Sequence, residues 1–407
     1  MIKAIKIRLY PTESQQITIN KLLGCCRLVY NKCLDHRNKL YQETKESGSL
    51  SKSYKYFCEM KEMEEFSFLK IDAHSKVIQQ TLINQDVAFK NFFTKKSDFP
   101  KFKSKKDNKQ SCRFPKDAIS GIRGKLNCIQ GNRINIIKSL NNIHFKCSHR
   151  DELYLNKYQK FITSATLSKT CSGKYYFSIL IDKPHIVRFS KTNNIVGIDL
   201  GIKDLIITSN NEKFENKQFY RKQENKLKKL NRKFAKTQKG SNNHQKIRIK
   251  IAKLNEKIKN QRNWYIHHIV NQLLNENQVI VMEDLNVSGM MKNHKLAKSI
   301  QDVSFCELKR ILQYKASWND KQVIFIDRFY PSSKLCSDCG YKKDDLQLSD
   351  REWVCPECGV IHDRDINAAV NIKNEGKRII GLSSPEFKRV GEPTLVGLMN
   401  LERNVRC

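Results

Sequence analysis

A multidomain α+β architecture is what this sequence predicts, and three observations predict it. The chain has 407 residues, more than one ordinary hydrophobic core accommodates. Its first ten residues alternate apolar and basic side chains as a strand does, whereas residues 12–95 carry helical spacing. From residue 193 onward, short apolar runs alternate with helical stretches, the pattern of an α/β domain with a mixed sheet.

In the first strand, Ile5, Ile7 and Leu9 alternate with Lys6, Arg8 and Tyr10, and Pro11 ends it. Within the helical stretch, Val77, Ile78, Leu82, Val87, Phe89 and Phe93 mark an apolar stripe. A basic linker, "KKSDFPKFKSKKDNK", follows and is broken by Pro100. Residues 118–188 read as short strands with turns, Ser172-Gly173 forming one hairpin, and together with residues 1–10 they predict a small β-barrel or sheet.

"NNIVGIDLGIKDLIITSNN" reads as a hairpin about Gly201. A helical pair spans 215–275, hinged at "KGSNN", its second arm seamed by Ile247, Ile251, Leu254 and Ile258. "QVIVMEDL" is short enough for a buried strand, and helix 303–318 and strand 322–330 come after it. The helix "INAAVNIKNEG" is predicted to end at Gly376, and residues 381–407 lack periodicity and predict a loose tail.

Charge narrows the partners. Subtracting 41 acidic from 76 basic residues leaves +35, a self-repelling excess that a polyanion relieves, and phosphate backbones are the commonest polyanion. Mean hydropathy is −0.61. No run of about 18 uncharged apolar residues exists, so no membrane partner is expected. The N-terminus lacks the apolar core of a signal peptide, so a cytoplasmic setting is expected. Residues 221–262 hold sixteen basic and two acidic residues, either a solvated helix face or a phosphate-contacting one.

Of fourteen cysteines, ten lack metal spacing and read as small buried hydrophobes. The other four form two Cys-x2-Cys knuckles, Cys336/Cys339 and Cys355/Cys358, each followed by glycine. Four thiolates close a tetrahedral shell, which predicts one structural Zn²⁺ and no metal-activated water there. His362 is an alternative ligand.

The acids pose a different question. Asp199 interrupts an apolar strand, where an unpaired carboxylate is costly. Glu283 and Asp284 repeat the puzzle at the end of "QVIVMEDL", and periodicity does not choose between them. Asp363 and Asp365 stand at a helix start, where either serves as N-cap. Converging on one cluster, acids from two strand ends and this helix would suit Mg²⁺ or Mn²⁺, and two such ions support phosphodiester hydrolysis.

"GIDLGIKDL", "VMEDLN", "YPSSKLCSDCG" with "WVCPECG", and "HDRDINAAVNI" together resemble the TnpB family of transposon-encoded proteins, compact relatives of type V CRISPR effectors. "RLYP", "RLVYNKCL", "AFKNFF" and "LQYKASW" extend the resemblance over nearly the whole chain. The resemblance implies an RNA-guided DNA endonuclease, working with a guide RNA from the transposon end on double- and single-stranded DNA, in a prokaryotic, nucleoid-associated setting. It assigns the catalytic, metal-holding acids to Asp199, Glu283 and Asp365, which excludes Asp284 and leaves Asp363 the cap or a supporting role.

The resemblance also implies an organisation: a wedge-like β-barrel (1–10 and 118–188), an inserted helical recognition domain (11–117), an RNase H-like RuvC domain (189–334 and 362–380) and an inserted zinc ribbon (335–361) that handles target nucleic acid. Gln79 matches a position that reads the motif flanking the DNA target. The basic residue expected four positions earlier falls on Ser75, with Lys76 adjacent. Two rivals stand beside this expectation: a nuclease-inactive RNA-guided repressor, and a transposase that transfers DNA strands itself.

Overall fold

The computed structural model describes residues 2–107, 109–119, 129–182, 189–347 and 349–381. The expected loose tail thus lies, beyond residue 381, outside the described residues. The chain divides into two compact units, Met1–Pro184 and His185–Cys407.

The first unit is built on a seven-stranded sheet. Its strands are β1 (Ile2–Tyr10), β2 (Lys109–Pro115), β3 (Ile129–Gln130), β4 (Arg133–Ile134), β5 (Ile143–Lys146), β6 (Ile162–Thr170) and β7 (Tyr175–Asp182), in the order β2-β6-β7-β1-β5-β4-β3. Every pairing is antiparallel. Ile5, Ile7 and Leu9 point into the core with Phe114, Phe145 and Phe177, as period-two alternation requires. Gly173 turns the β6–β7 hairpin at φ +82°, donating its N–H to the Thr170 carbonyl.

Four helices, α1 (Glu13–Thr44), α2 (Leu50–Glu62), α3 (Leu69–Asp72) and α4 (Ser75–Phe93), lie between β1 and β2. Thr12 starts α1 with a capping box to Gln15. Buried Arg37 of α1 pairs with Asp86 of α4 at 3.0 Å.

Three expectations change here. The 118 boundary falls too late, because Cys112 and Phe114 alternate into the core and pair opposite Leu167 and Ala165, making β2 part of the sheet. The stretch read as strands contains helix α5 (His149–Tyr158), which Ser148 caps by accepting from the Asp151 N–H, with Asp151 and Glu152 in its first turn. The α4 stripe is buried only at Val77, Ile78 and Leu82, while Val87 and Phe93 are exposed.

The second unit carries a five-stranded mixed sheet, β8 (Ile195–Asp199), β9 (Asp204–Thr208), β10 (Lys213–Glu215), β11 (Val279–Glu283) and β12 (Gln322–Ile326), ordered β10-β9-β8-β11-β12. The three strands β8, β11 and β12 are parallel. Between the β8–β10 meander and β11 runs a hairpin of α6 (Phe219–Ala235) and α7 (Asn242–Glu276), closed by Leu227, Leu254 and Ile258. Buried Asp302 anchors it, accepting from the Tyr220 and Arg221 N–H groups at the start of α6 and from Arg262.

Short α8 (Val287–Met290), α9 (Ala297–Val303) and α10 (Phe305–Ser317) join β11 to β12. A two-stranded hairpin, β13 (Glu352–Val354) and β14 (Ile361–Asp363), then leads directly into α11 (Arg364–Ile379), crossing the expected 361/362 boundary. Helix α11 does not stop at Gly376. That glycine is buried within the last turn of the helix, where a Cβ would lie 2.4 Å from Val281 Cγ2, so its role is close packing on β11. No helix among the described residues is long and apolar enough to cross a membrane.

Candidate active site

The parallel register brings Met282 opposite Ile198, so Asp199 and Glu283 follow side by side at the carboxyl ends of neighbouring strands. Ligands of open α/β sheets bind at that edge. Helix α11 packs across β8 and delivers Asp365 in its first turn. Burial, then the charges of Glu283 and Asp365, push the Asp199 carboxyl up to about 7. The Asp199 carboxyl thus feels both other carboxylates, as strand ends and a helix start meeting at one sheet edge require.

Each acid is held separately. Asp199 Oδ1 accepts from the Leu200 N–H at 2.9 Å, and the Ser332 hydroxyl donates to Glu283 Oε1 at 2.5 Å. Arg351 Nη1 donates to Asp365 at 3.1 Å and 3.3 Å. Burial raises the Glu283 pKa while the Ser332 hydrogen bond lowers it. The triad is more open than a closed ligand shell: among the described residues, only groups containing Cys336 bring three or more ligand atoms within 4.8 Å of one another. Oxygen donors alone, close enough to repel and partly buried, fit a hard divalent cation.

Neighbouring acids have other work. Asp363 is the N-cap of α11, accepting from the Asp365 and Ile366 N–H groups, and pairs with Lys213 at 2.7 Å. Asp284 faces Lys309 and Arg328 at 2.6 Å and 3.3 Å. Both are neutralised by cations, and both have pKa values lowered, Asp284 chiefly by the Lys309 hydrogen bond.

The four cysteines converge as well. Cys336, Cys339, Cys355 and Cys358 bring their sulfurs within 4.8 Å of one another, two pairs standing 3.6 Å and 3.5 Å apart. A tetrahedron with Zn–S near ~2.3 Å has edges of about 3.8 Å, so the donor set fits zinc. The knuckles repeat one geometry: Gly340 and Gly359, at φ +81° and +74°, donate to the Cys336 and Cys355 carbonyls. His362 Nε2 lies 3.0 Å from Cys336 Sγ and its ring packs on Trp353.

Gln79 and Lys76 lie three residues apart on α4. Gln79 is exposed, whereas Lys76 pairs with Asp117 at 2.9 Å. Sequence reasoning missed Ser332 and Arg351 as partners of the acids. "YPSSK" and the residues just before "WVCPECG" held them, but nothing in local spacing pairs them with Glu283 or Asp365.

The fold and its edge define the class: a multidomain α/β protein with carboxylates converging at the ends of parallel strands and a four-cysteine ribbon leading into the helix behind them. Residues 178–294 match the family profile described as "Probable transposase", residues 305–372 the "Cas12f1-like, TNB domain", and residues 1–46 a "Helix-turn-helix domain". In that last stretch the structure has strand β1 and the single long helix α1.

A Streptomyces pristinaespiralis protein named "Putative RNA-guided DNA endonuclease" is 35% identical over 374 residues, covering 92% of this chain and 89% of the relative. InsQ of Escherichia coli K12, under the same description, is 29% identical over 407 residues, 96% of each chain. A cryo-EM structure of a Cas12f1–sgRNA–target DNA complex shares the fold, with a TM-score of 0.55 at 15% identity over 92% of this chain and 99% of that one. The chain belongs to the TnpB family of transposon-encoded proteins.

Proposed function

We propose that this protein is an RNA-guided DNA endonuclease whose RNase H-like (RuvC) site hydrolyses phosphodiester bonds with two Mg²⁺ or Mn²⁺ ions held by Asp199, Glu283 and Asp365. The observation that carries this reading is the convergence of those acids at one sheet edge, where burial and then the neighbouring Glu283 and Asp365 charges push the Asp199 carboxyl to about 7. A carboxyl perturbed by burial together with specific charged neighbours is characteristic of functional sites. When bound, the ions supply an activated water and charge stabilisation for the leaving oxygen.

The chain's own residues do the rest. Asp199 and Glu283 offer their oxygens from neighbouring parallel strands, and Asp365 completes the set from α11. Arg351 balances the charge of Asp365. The sixteen bases of 221–262, on α6, α7 and their hinge, suit the phosphates of a guide–target duplex, which are recognised by charge and shape. Cys336, Cys339, Cys355 and Cys358 hold one structural Zn²⁺ in a target-handling ribbon. In the first unit, the seven-stranded sheet serves as the wedge-like barrel, and Gln79 with Lys76 faces the flanking motif once Lys76 leaves Asp117.

The test uses protein copurified with RNA from its flanking locus. Asp199→Ala abolishes guided cleavage and leaves guide-RNA binding intact, and retained cleavage overturns the metal assignment. The "Probable transposase" description favours a second reading, direct strand transfer. RNase treatment separates the two, because guided cleavage disappears and strand transfer survives.

A further inference from the structure

Glu283 ends its strand with a carboxylate that the backbone alone leaves free to rotate. One side chain restrains it: buried Ser332, whose hydroxyl donates to Oε1 at 2.5 Å. Ser332 is itself pinned, its carbonyl accepting from Asn371 Nδ2 at 2.8 Å. The same Nδ2 donates to the Leu335 carbonyl at 2.7 Å, and Asn367 Nδ2 donates there at 2.6 Å. Asn367 Oδ1 also accepts from the Ser337 N–H at 2.9 Å. Asn367 and Asn371 are buried at 2% and 4% exposure, one turn apart on α11.

Buried amides are held by the full cost of leaving them unpaired, so this clamp ties residues 332–337 firmly to the helix. The helix that carries Asp365 in its first turn therefore also sets, six residues or about 9 Å along its axis, the group that orients Glu283. We propose that Ser332 is a positioning residue for Glu283, and that Asn371 fixes Ser332 so that α11 aligns both Asp365 and Glu283 toward a divalent cation. The inference rests on the reading of Glu283 as a metal-holding carboxylate. Outer partners of ligating carboxylates typically govern metal affinity by ~10–100-fold.

The experiment compares Ser332→Ala, Ser332→Thr and Glu283→Gln in the guide-loaded protein. It reads Mn²⁺ binding by the free-ion EPR signal, and separately the Mg²⁺ dependence of cleavage. Glu283→Gln loses Mn²⁺ binding. Ser332→Ala weakens Mn²⁺ binding about tenfold and raises half-saturating Mg²⁺ by a like factor, with a smaller change in the saturated rate. Ser332→Thr, which keeps the hydroxyl, stays nearer the native values. Native-like Mn²⁺ binding and Mg²⁺ dependence in Ser332→Ala, alongside an impaired Glu283→Gln, overturn the proposal. Native-like Mn²⁺ binding in Glu283→Gln overturns the underlying reading instead.

Discussion

Gly197→Ala tests how the two halves of the acidic cluster are brought together. Gly197 lies in β8, two residues before Asp199, against the helix that carries Asp365. A Cβ there would stand 2.1 Å from the Ala369 carbonyl oxygen, 2.5 Å from the Lys373 N and 2.8 Å from the Lys373 Cβ. Two of these are backbone atoms, so no rotamer relieves the clash. Ordinary contact begins near 3.4 Å, and 3.4 minus 2.1 requires α11 to retreat by about 1.3 Å. Overpacking of this kind costs ~1–3 kcal/mol. A displacement of about 1 Å at a reacting centre costs ~10²-fold in rate. Gly197→Ala should therefore lower the melting temperature and slow single-turnover cleavage of guide-matched DNA about a hundredfold, with guide-RNA affinity unchanged. Gly24→Ala, in α1 with nothing within 4 Å of its added Cβ, is the control and should keep native cleavage while melting slightly higher, since Ala favours a helix interior by about 1 kcal/mol. Native cleavage and melting in Gly197→Ala would refute the close-packing account.

Zinc removal should unfold the ribbon alone, since among the described residues its buried core is Cys336, Leu346, Trp353 and Cys355; hydrogen exchange after chelation should lose protection across 338–361 and keep it in β8 and β11, and uniform protection would contradict a structural ion. The Asp199 carboxyl, raised to about 7 in the fold from an unfolded value near 3.8, binds its proton more tightly when folded. Its contribution to stability without divalent cations should thus be full below about pH 4 and be lost as pH rises through 7, by up to ~4 kcal/mol. Asp199→Asn should flatten that slope, and an unchanged slope in thermal melts would remove Asp199 as its source. Asp302→Ala strands Arg262 and uncaps α6, which predicts a loss of about 3 kcal/mol by urea titration; a loss below ~1 kcal/mol would mean the hairpin is anchored elsewhere.

Much of this was written locally. Alternation revealed β1, glycine after each knuckle marked the ribbon turns, and an acid inside an apolar run marked Asp199. What stayed hidden depends on distant neighbours. Gly376 reads as a helix stop, because spacing does not reveal that Val281 presses against it from another strand. Val87 and Phe93 continue an apolar stripe that no described residue of their own unit fully covers. Cys112 and Phe114 sit in a basic stretch whose charge masks a short alternation. Choosing Glu283 over Asp284 needed the resemblance, and the structure supplies a physical contrast between them: Asp284 is paired with two cations, while Glu283 takes a neutral hydroxyl.

The junction between β14 and α11 has a consequence for how this sequence can change length. His362 touches Cys336, Asp363 caps the helix and Asp365 joins the acids, all within four residues and without a linker. One inserted residue would rotate everything beyond it by about 100° about the helix axis, turning Asp365 away from β8 or breaking the cap. Insertions and deletions are therefore barred from 362–365. They are tolerated between the knuckles at Asp344 and Asp345, an exposed turn that neither ligates nor joins the ribbon core. Between relatives, the ribbon should vary in girth while its distance to the last acid stays constant.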